Sequence, residues 1–186
     1  MTELQGVIGF EGIGINAWMV WVLPFIGAAL IPAIAKAGNR VRSYAAVGFA
    51  LASAISAVTL LPLGIEGGQV HSQINWIPFL NIQAGVLADS LSILMTNIVA
   101  WISFLIFVYS VGYMHGDKNL TRYWFFMLFF IGSMQLIVLS DNLLMVFFGW
   151  EGVGLASFAL IGFWYHDRKK DFVGTPGHYA GGIQMW

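Results

Sequence analysis

The stretch FFGWEGVGLASF, residues 147–158, places one carboxylate, Glu151, in an otherwise apolar run, with glycines at 149, 152 and 154 around it. A carboxylate takes up and releases protons. In an apolar setting its ionised form costs several kcal/mol unless a partner, water or a proton accompanies it. Ionisable groups at membrane depth are therefore candidates for proton relays, and Glu151 is the candidate proton-transfer residue of this chain. The alternative is a neutral glutamate that hydrogen-bonds between helices. Gly149, Gly152 and Gly154 either let a neighbouring backbone approach or leave room for water beside the carboxylate.

The other polar residues offer less chemistry. Asp89 and Asp141 fall at helix ends, where caps and solvated termini are the expected roles. Asn97 and Gln135 read as buried amides that hydrogen-bond between helices. His71, His115, His166 and His178 stand in loops, with no spacing that assembles a metal site. The segments GFEGIGIN and GWEGVG echo glycine-rich nucleotide loops but lack the preceding strand that such loops need. Cysteine is absent, which excludes disulfides, thiolate zinc sites and cysteine-ligated clusters in this chain. No cofactor or metal is expected to bind here.

The elements that position Glu151 follow from composition. Of 186 residues, 59% are hydrophobic and 9% charged, against about 25% charged in a soluble domain. The chain reads as an all-α integral membrane protein with one membrane domain. The net charge of −1 provides no basic patch for nucleic acid. Crossing a bilayer takes roughly 20 apolar residues as helix. Five windows qualify: 12–35, 43–65, 90–112, 123–140 and 142–165. The last two form one block that would reach about 65 Å as a single helix. Ser140, Asp141 and Asn142 supply turn chemistry between them, and Asp141 or Asn142 can cap the second. Residues 166–186 are a tail or the start of a link to a sixth span. The first basic residue is Lys36, so the first window lacks the positive region of a cleaved signal and reads as a retained span.

Charge sets the orientation. Lys36, Arg40 and Arg42 follow the first window, Lys118 and Arg122 lie between the third and fourth, and Arg168, Lys169 and Lys170 follow the fifth. All eight basic residues thus share one side, which the positive-inside rule makes cytoplasmic, with the N-terminus outside. The outer loop between spans two and three alternates polar and apolar residues around Pro78 and Asn81, which predicts a small extracytoplasmic hairpin.

The run YMHGDKNLTRYWFFMLFFIGSMQLIVLSDNLLMVFFGWEGVGLASFALIGFWY, residues 113–165, closely resembles the L subunit of NADH-quinone oxidoreductase, respiratory complex I. The segments DNLL, GWEGVGL and LIGFWY carry the likeness, and ADSLS at 88–92 matches the family's entry to its third span. The resemblance implies an antiporter-like multi-span bundle in an energy-coupling membrane, in a prokaryote the cell membrane. It implies a membrane-arm subunit that moves protons as quinone reduction drives conformational change. It makes Glu151 the family's intramembrane glutamate, which pairs with a lysine on a later, broken helix. Flavin, iron–sulfur clusters, NADH and quinone then belong to partner subunits, and an M-type subunit is the expected neighbour. Members carry many more than five spans, so the chain corresponds to their N-terminal portion, with the lysine expected beyond Trp186. Two other readings remain: a subunit of a multisubunit cation/proton antiporter, and a structural membrane scaffold with an inert Glu151.

Overall fold

The computed structural model of the chain describes residues 4–77, 79, 82–114 and 119–163. In order these form helix α1 (Leu4–Ile34), a 3-10 turn (Ala35–Ala37), α2 (Asn39–Val58), the short α3 (Leu61–Ile65), strands β1 (Val70–Ile77) and β2 (Ile82–Ala88), α4 (Ser90–Tyr113), α5 (Leu120–Leu139) and α6 (Leu143–Ile161). Five helical segments are long and apolar enough to cross a membrane. The second differs from the uninterrupted 43–65 window. It starts earlier, at Asn39, and is broken at Thr59 and Leu60 before resuming as α3. Pro62 explains the break, because its nitrogen has no hydrogen to donate to the Val58 carbonyl one turn back. Placed in the first turn of α3, Pro62 instead starts a new helix. Pro24 and Pro32 lie inside α1 without ending it, as membrane helices allow.

α5 is the central helix and packs against α1, α2, α4 and α6. Small residues and buried hydroxyls and amides bring the backbones together. Gly27 of α1 faces the Phe49 ring of α2, and Gly132 of α5 faces Phe25 of α1. The Ser53 hydroxyl donates to the Val20 carbonyl at 2.6 Å. Asn97 Nδ2 donates to the Ala57 carbonyl at 3.0 Å and Gln135 Nε2 to the Thr96 carbonyl at 3.0 Å, so both amides link helices as expected. α6 packs chiefly on α5, and Phe148 of α6 also meets the Trp76 ring of β1.

β1 and β2 pair antiparallel, with Gln73 opposite Gly85 and a register irregularity between Asn75 and Ile77. The turn residues Pro78, Leu80 and Asn81 lie outside those described. One hairpin face, with Val70, Ala84, Val86 and Ala88, is buried against the helices. Trp18 Nε1 of α1 donates to the Ser72 hydroxyl at 3.1 Å. Along the free edge of β2 the Asp141 N–H donates to the Gly85 carbonyl at 3.3 Å, with Ser140 bridged to Val86, which ties the hairpin to the α5–α6 turn.

Candidate functional site

α6 carries Glu151. The helix begins because the Asn142 side chain accepts from the Met145 N–H at 3.0 Å, satisfying one otherwise orphaned donor of the first turn. It is 19 residues long, about 28 Å at 1.5 Å per residue. Glu151 is near its middle. Gly149, Gly152, Ala156 and Ala159 follow helical spacing and are buried. At about 100° per residue, Glu151 stands about 200° around the axis from Gly149, on the opposite side.

The seat on α5 depends on two of the glycines. A Cβ on Gly149 would stand 2.7 Å from Ile137 Cγ1 and 3.0 Å from the Ser133 carbonyl oxygen. A Cβ on Gly152 would overlap the Ser133 hydroxyl. That hydroxyl is itself held, donating to the Phe129 carbonyl at 2.8 Å. At the far end, Arg122 Nη2 donates to the Ala159 carbonyl at 3.2 Å, a cation at a helix C-terminus where carbonyls lack helical partners. Gly154 is different, with nothing within 4 Å of where its Cβ would stand. The three glycines therefore divide: Gly149 and Gly152 admit the α5 backbone, while Gly154 leaves space on an open side of α6.

Glu151 is exposed on the face turned away from α5, between Phe147 and Trp150 on one side and Leu155 and Phe158 on the other. It makes no hydrogen bond or ion pair among the described residues. A lone carboxylate in an apolar helix face can accept and release a proton. Relaying it onward takes a second group or water brought against that face.

A second polar site was not foreseen from the sequence. Asp141 does not cap α6, a role that Asn142 takes alone. Its carboxylate is 4% exposed and sits over the hairpin. His71 Nε2 lies 3.0 Å from Oδ2, Gln73 Nε2 donates to Oδ2 at 2.7 Å, and Asn142 Nδ2 donates to Oδ1 at 2.6 Å. Gly85, directly across the ladder from Gln73, makes room for it, since any Cβ there would coincide with the carboxylate. Burial alone raises the Asp141 pKa. The hydrogen bonds from Gln73, His71 and Asn142, with the charge of His71, outweigh burial and hold the carboxyl below the ordinary carboxylate value. The only sequence signal was the period-two spacing that sets His71 and Gln73 on one strand face. Asp89 behaves as expected: the Ser92 hydroxyl and then the Ser92 N–H bond its carboxylate, holding it low and capping α4. Among the described residues no cluster of three His, Asp or Glu side chains forms a metal site.

Residues 76–124 match the family described as NADH-ubiquinone oxidoreductase (complex I), chain 5 N-terminus. The chain is 36% identical over 173 residues to NADH-quinone oxidoreductase subunit L of Mycobacterium tuberculosis, covering 84% of this chain and 27% of that protein. It is 36% identical over 155 residues to the Escherichia coli subunit L, covering 80% and 25%. It is 38% identical over 152 residues to NADH-ubiquinone oxidoreductase chain 5 of Dictyostelium discoideum, covering 77% and 22%. The chain thus spans about a quarter of the length of these relatives. Its fold is shared with a subunit of the Mrp complex from Dietzia, with a TM-score of 0.65 and 22% identity over 86% of this chain and 16% of that one. A chain of an archaeal membrane-bound sulfane sulfur reductase gives a TM-score of 0.66 and 20% identity over 77% and 22%. This multi-pass membrane chain belongs to the subunit L, or chain 5, family of NADH-quinone oxidoreductase and corresponds to its N-terminal portion.

Proposed function

We propose that the chain is part of a proton-translocating membrane-arm subunit of a complex I-type NADH-quinone oxidoreductase, in which Glu151 transfers protons. The observation that carries this reading is the placement of Glu151. It stands mid-helix, alone among apolar side chains, on a side of α6 that is left exposed among the described residues. An ionisable group held at such depth is costly, and its usual use is to hand on a proton to a facing group or water. Gly149 and Gly152 fix the rotation of α6 on α5 and so aim Glu151 outward. On this reading the basic partner, a lysine on a later helix, lies against that open face. Gly154 leaves room beside it for water or for the incoming backbone.

The rest of the assembly follows from the same reading. NADH, flavin, iron–sulfur clusters and quinone are bound by partner subunits, in keeping with a sequence that has no cysteine. This chain takes part in the oxidoreductase reaction only by coupling it to proton movement. An M-type subunit is its neighbour in the arm. The membrane is the prokaryotic cell membrane, with Lys36, Arg40 and Arg42 on the cytoplasmic side and the N-terminus and hairpin outside.

The test is Glu151→Gln in the assembled complex, reading proton translocation, quinone reduction and assembly separately. Glutamine keeps the shape and hydrogen bonding of the side chain and removes its proton exchange. A severalfold loss of translocation at normal assembly is expected. Unchanged translocation at normal assembly overturns the role of Glu151 and leaves the scaffold reading in its place.

A further inference from the structure

At the end of the bundle where α2 begins and α4 finishes, a cavity of about 350 Å³ opens between α2, α4 and α5. Asn39, Arg40, Ser43 and Tyr44 form its polar side, and Val111, Met114 and Leu120 its apolar side. The polar side is rich in donors. The exposed Arg40 guanidinium makes no ion pair or hydrogen bond among the described residues, and neither does the hydroxyl of Tyr44, which is 66% exposed. Ser43 is already engaged, donating to the Asn39 carbonyl and accepting from Trp124 Nε1, each at 3.1 Å. Among the described residues no carboxylate lines the cavity.

The walls are held in place. Arg42, next to Arg40 in sequence but buried, donates to the Thr121 hydroxyl at 2.6 Å and to Asn39 Oδ1 at 3.0 Å. It thereby locks α2 to α5 and adds fixed positive charge behind the polar side. Tyr109 and Tyr113, both exposed, stack with ring centres 5.7 Å apart in the last turns of α4. Exposed tyrosines mark the level of lipid headgroups. A guanidinium and a hydroxyl with no partner or competing carboxylate among the described residues, beside an apolar wall at headgroup depth, match one ligand class. That class is an amphiphile with an anionic, oxygen-rich head, since guanidinium forms strong charge-assisted hydrogen bonds to phosphate.

We propose that this cavity binds one anionic phospholipid, with its phosphate against Arg40 and Tyr44 and an acyl chain along Val111, Met114 and Leu120. The lipid bridges the start of α2 to the junction of α4 and α5, which no covalent connection joins directly.

The experiment uses the purified membrane complex that contains this chain, in nanodiscs of phosphatidylcholine alone, with added phosphatidylglycerol, or with inorganic phosphate. Electron cryo-microscopy should place headgroup and acyl density in the cavity when phosphatidylglycerol is supplied. Native mass spectrometry should record about fivefold weaker retention of one phosphatidylglycerol in Arg40→Gln. Tyr44→Phe should weaken it less, and Val111→Trp, which fills the apolar side while leaving Arg40 intact, should displace the lipid. The proposal is overturned by equal retention in wild type and Arg40→Gln, or by density of another part of the protein filling the cavity. Density for phosphate alone, with none for phosphatidylglycerol, also overturns it in favour of a free-anion site.

Discussion

Asp141→Ala should loosen the hairpin without unfolding the bundle. The carboxylate accepts from Gln73 Nε2 at 2.7 Å and contacts His71 Nε2 at 3.0 Å, and both reach it from β1. Its bond from Asn142, the next residue in sequence, does not reach the hairpin, and Asn142 Nδ2 keeps its own bond to the Gln83 carbonyl of β2 at 3.0 Å when Asp141 is replaced. His71 and Gln73 are exposed, so water takes over when the acceptor is removed and no donor is left stranded. The loss is then the net value of two hydrogen bonds, about 1 kcal/mol each, or about 2 kcal/mol. That corresponds to a roughly 30-fold larger opening constant. The Asp141 N–H bond to Gly85 and the Trp18–Ser72 bond survive and keep the opening local. Amide hydrogen exchange over 70–77 and 82–88 in the assembled complex reads it directly. Exchange there should speed up about 30-fold while the α4 amides stay unchanged. Asp141→Asn, which keeps a neutral acceptor of about half the strength, should give about fivefold. Hairpin rates within about twofold of wild type, or equal acceleration in α4, would refute the reasoning.

The same tie depends on pH with a definite sign. Because the folded Asp141 carboxyl is held below its unfolded value of about 3.9, its contribution is fully present above that value. It is lost as pH falls through the lower folded pKa, so hairpin exchange, corrected for intrinsic chemistry, should rise only below about pH 4 and should not rise there in Asp141→Ala. Gly85→Ala sets a methyl group where the carboxylate stands, and should reproduce the Asp141→Ala exchange pattern while leaving Asp141 itself in place. Gly152→Val forces α6 away from Ser133 and should cost about 1–3 kcal/mol, seen as a lower melting temperature of the complex, with proton translocation reduced as Glu151 is displaced. A wild-type melting profile in Gly152→Val would show that α6 is not seated as described.

Much of this was legible because membrane insertion constrains sequence strongly. Five apolar windows are visible wherever charges are kept out for a bilayer's width. The Asn142 cap and the Asn97 and Gln135 links were readable from residue type and place in the helix. The break at Thr59 and Leu60 was also written locally, in Pro62, but is hidden in a hydropathy window because proline passes there as one more uncharged residue. Asp141 was misread for a different reason. Its partners His71 and Gln73 lie 70 and 68 residues away in sequence, and nothing near Asp141 points to them.

The sequence by itself determined that the chain crosses a membrane five times and carries one deep carboxylate in α6. Helical periodicity also puts Glu151 on the opposite side of the axis from Gly149, since it fixes relative faces within one helix. Only the tertiary structure decided which face meets α5. That depended on Ser133 and Ile137 fitting where Gly149 and Gly152 have no side chain, a match between surfaces that lie on different helices. It also separated Gly154 from the other two glycines and joined Gly85 to Asp141, because contacts at long sequence separation are set by shape and by competing partners, not by local propensity.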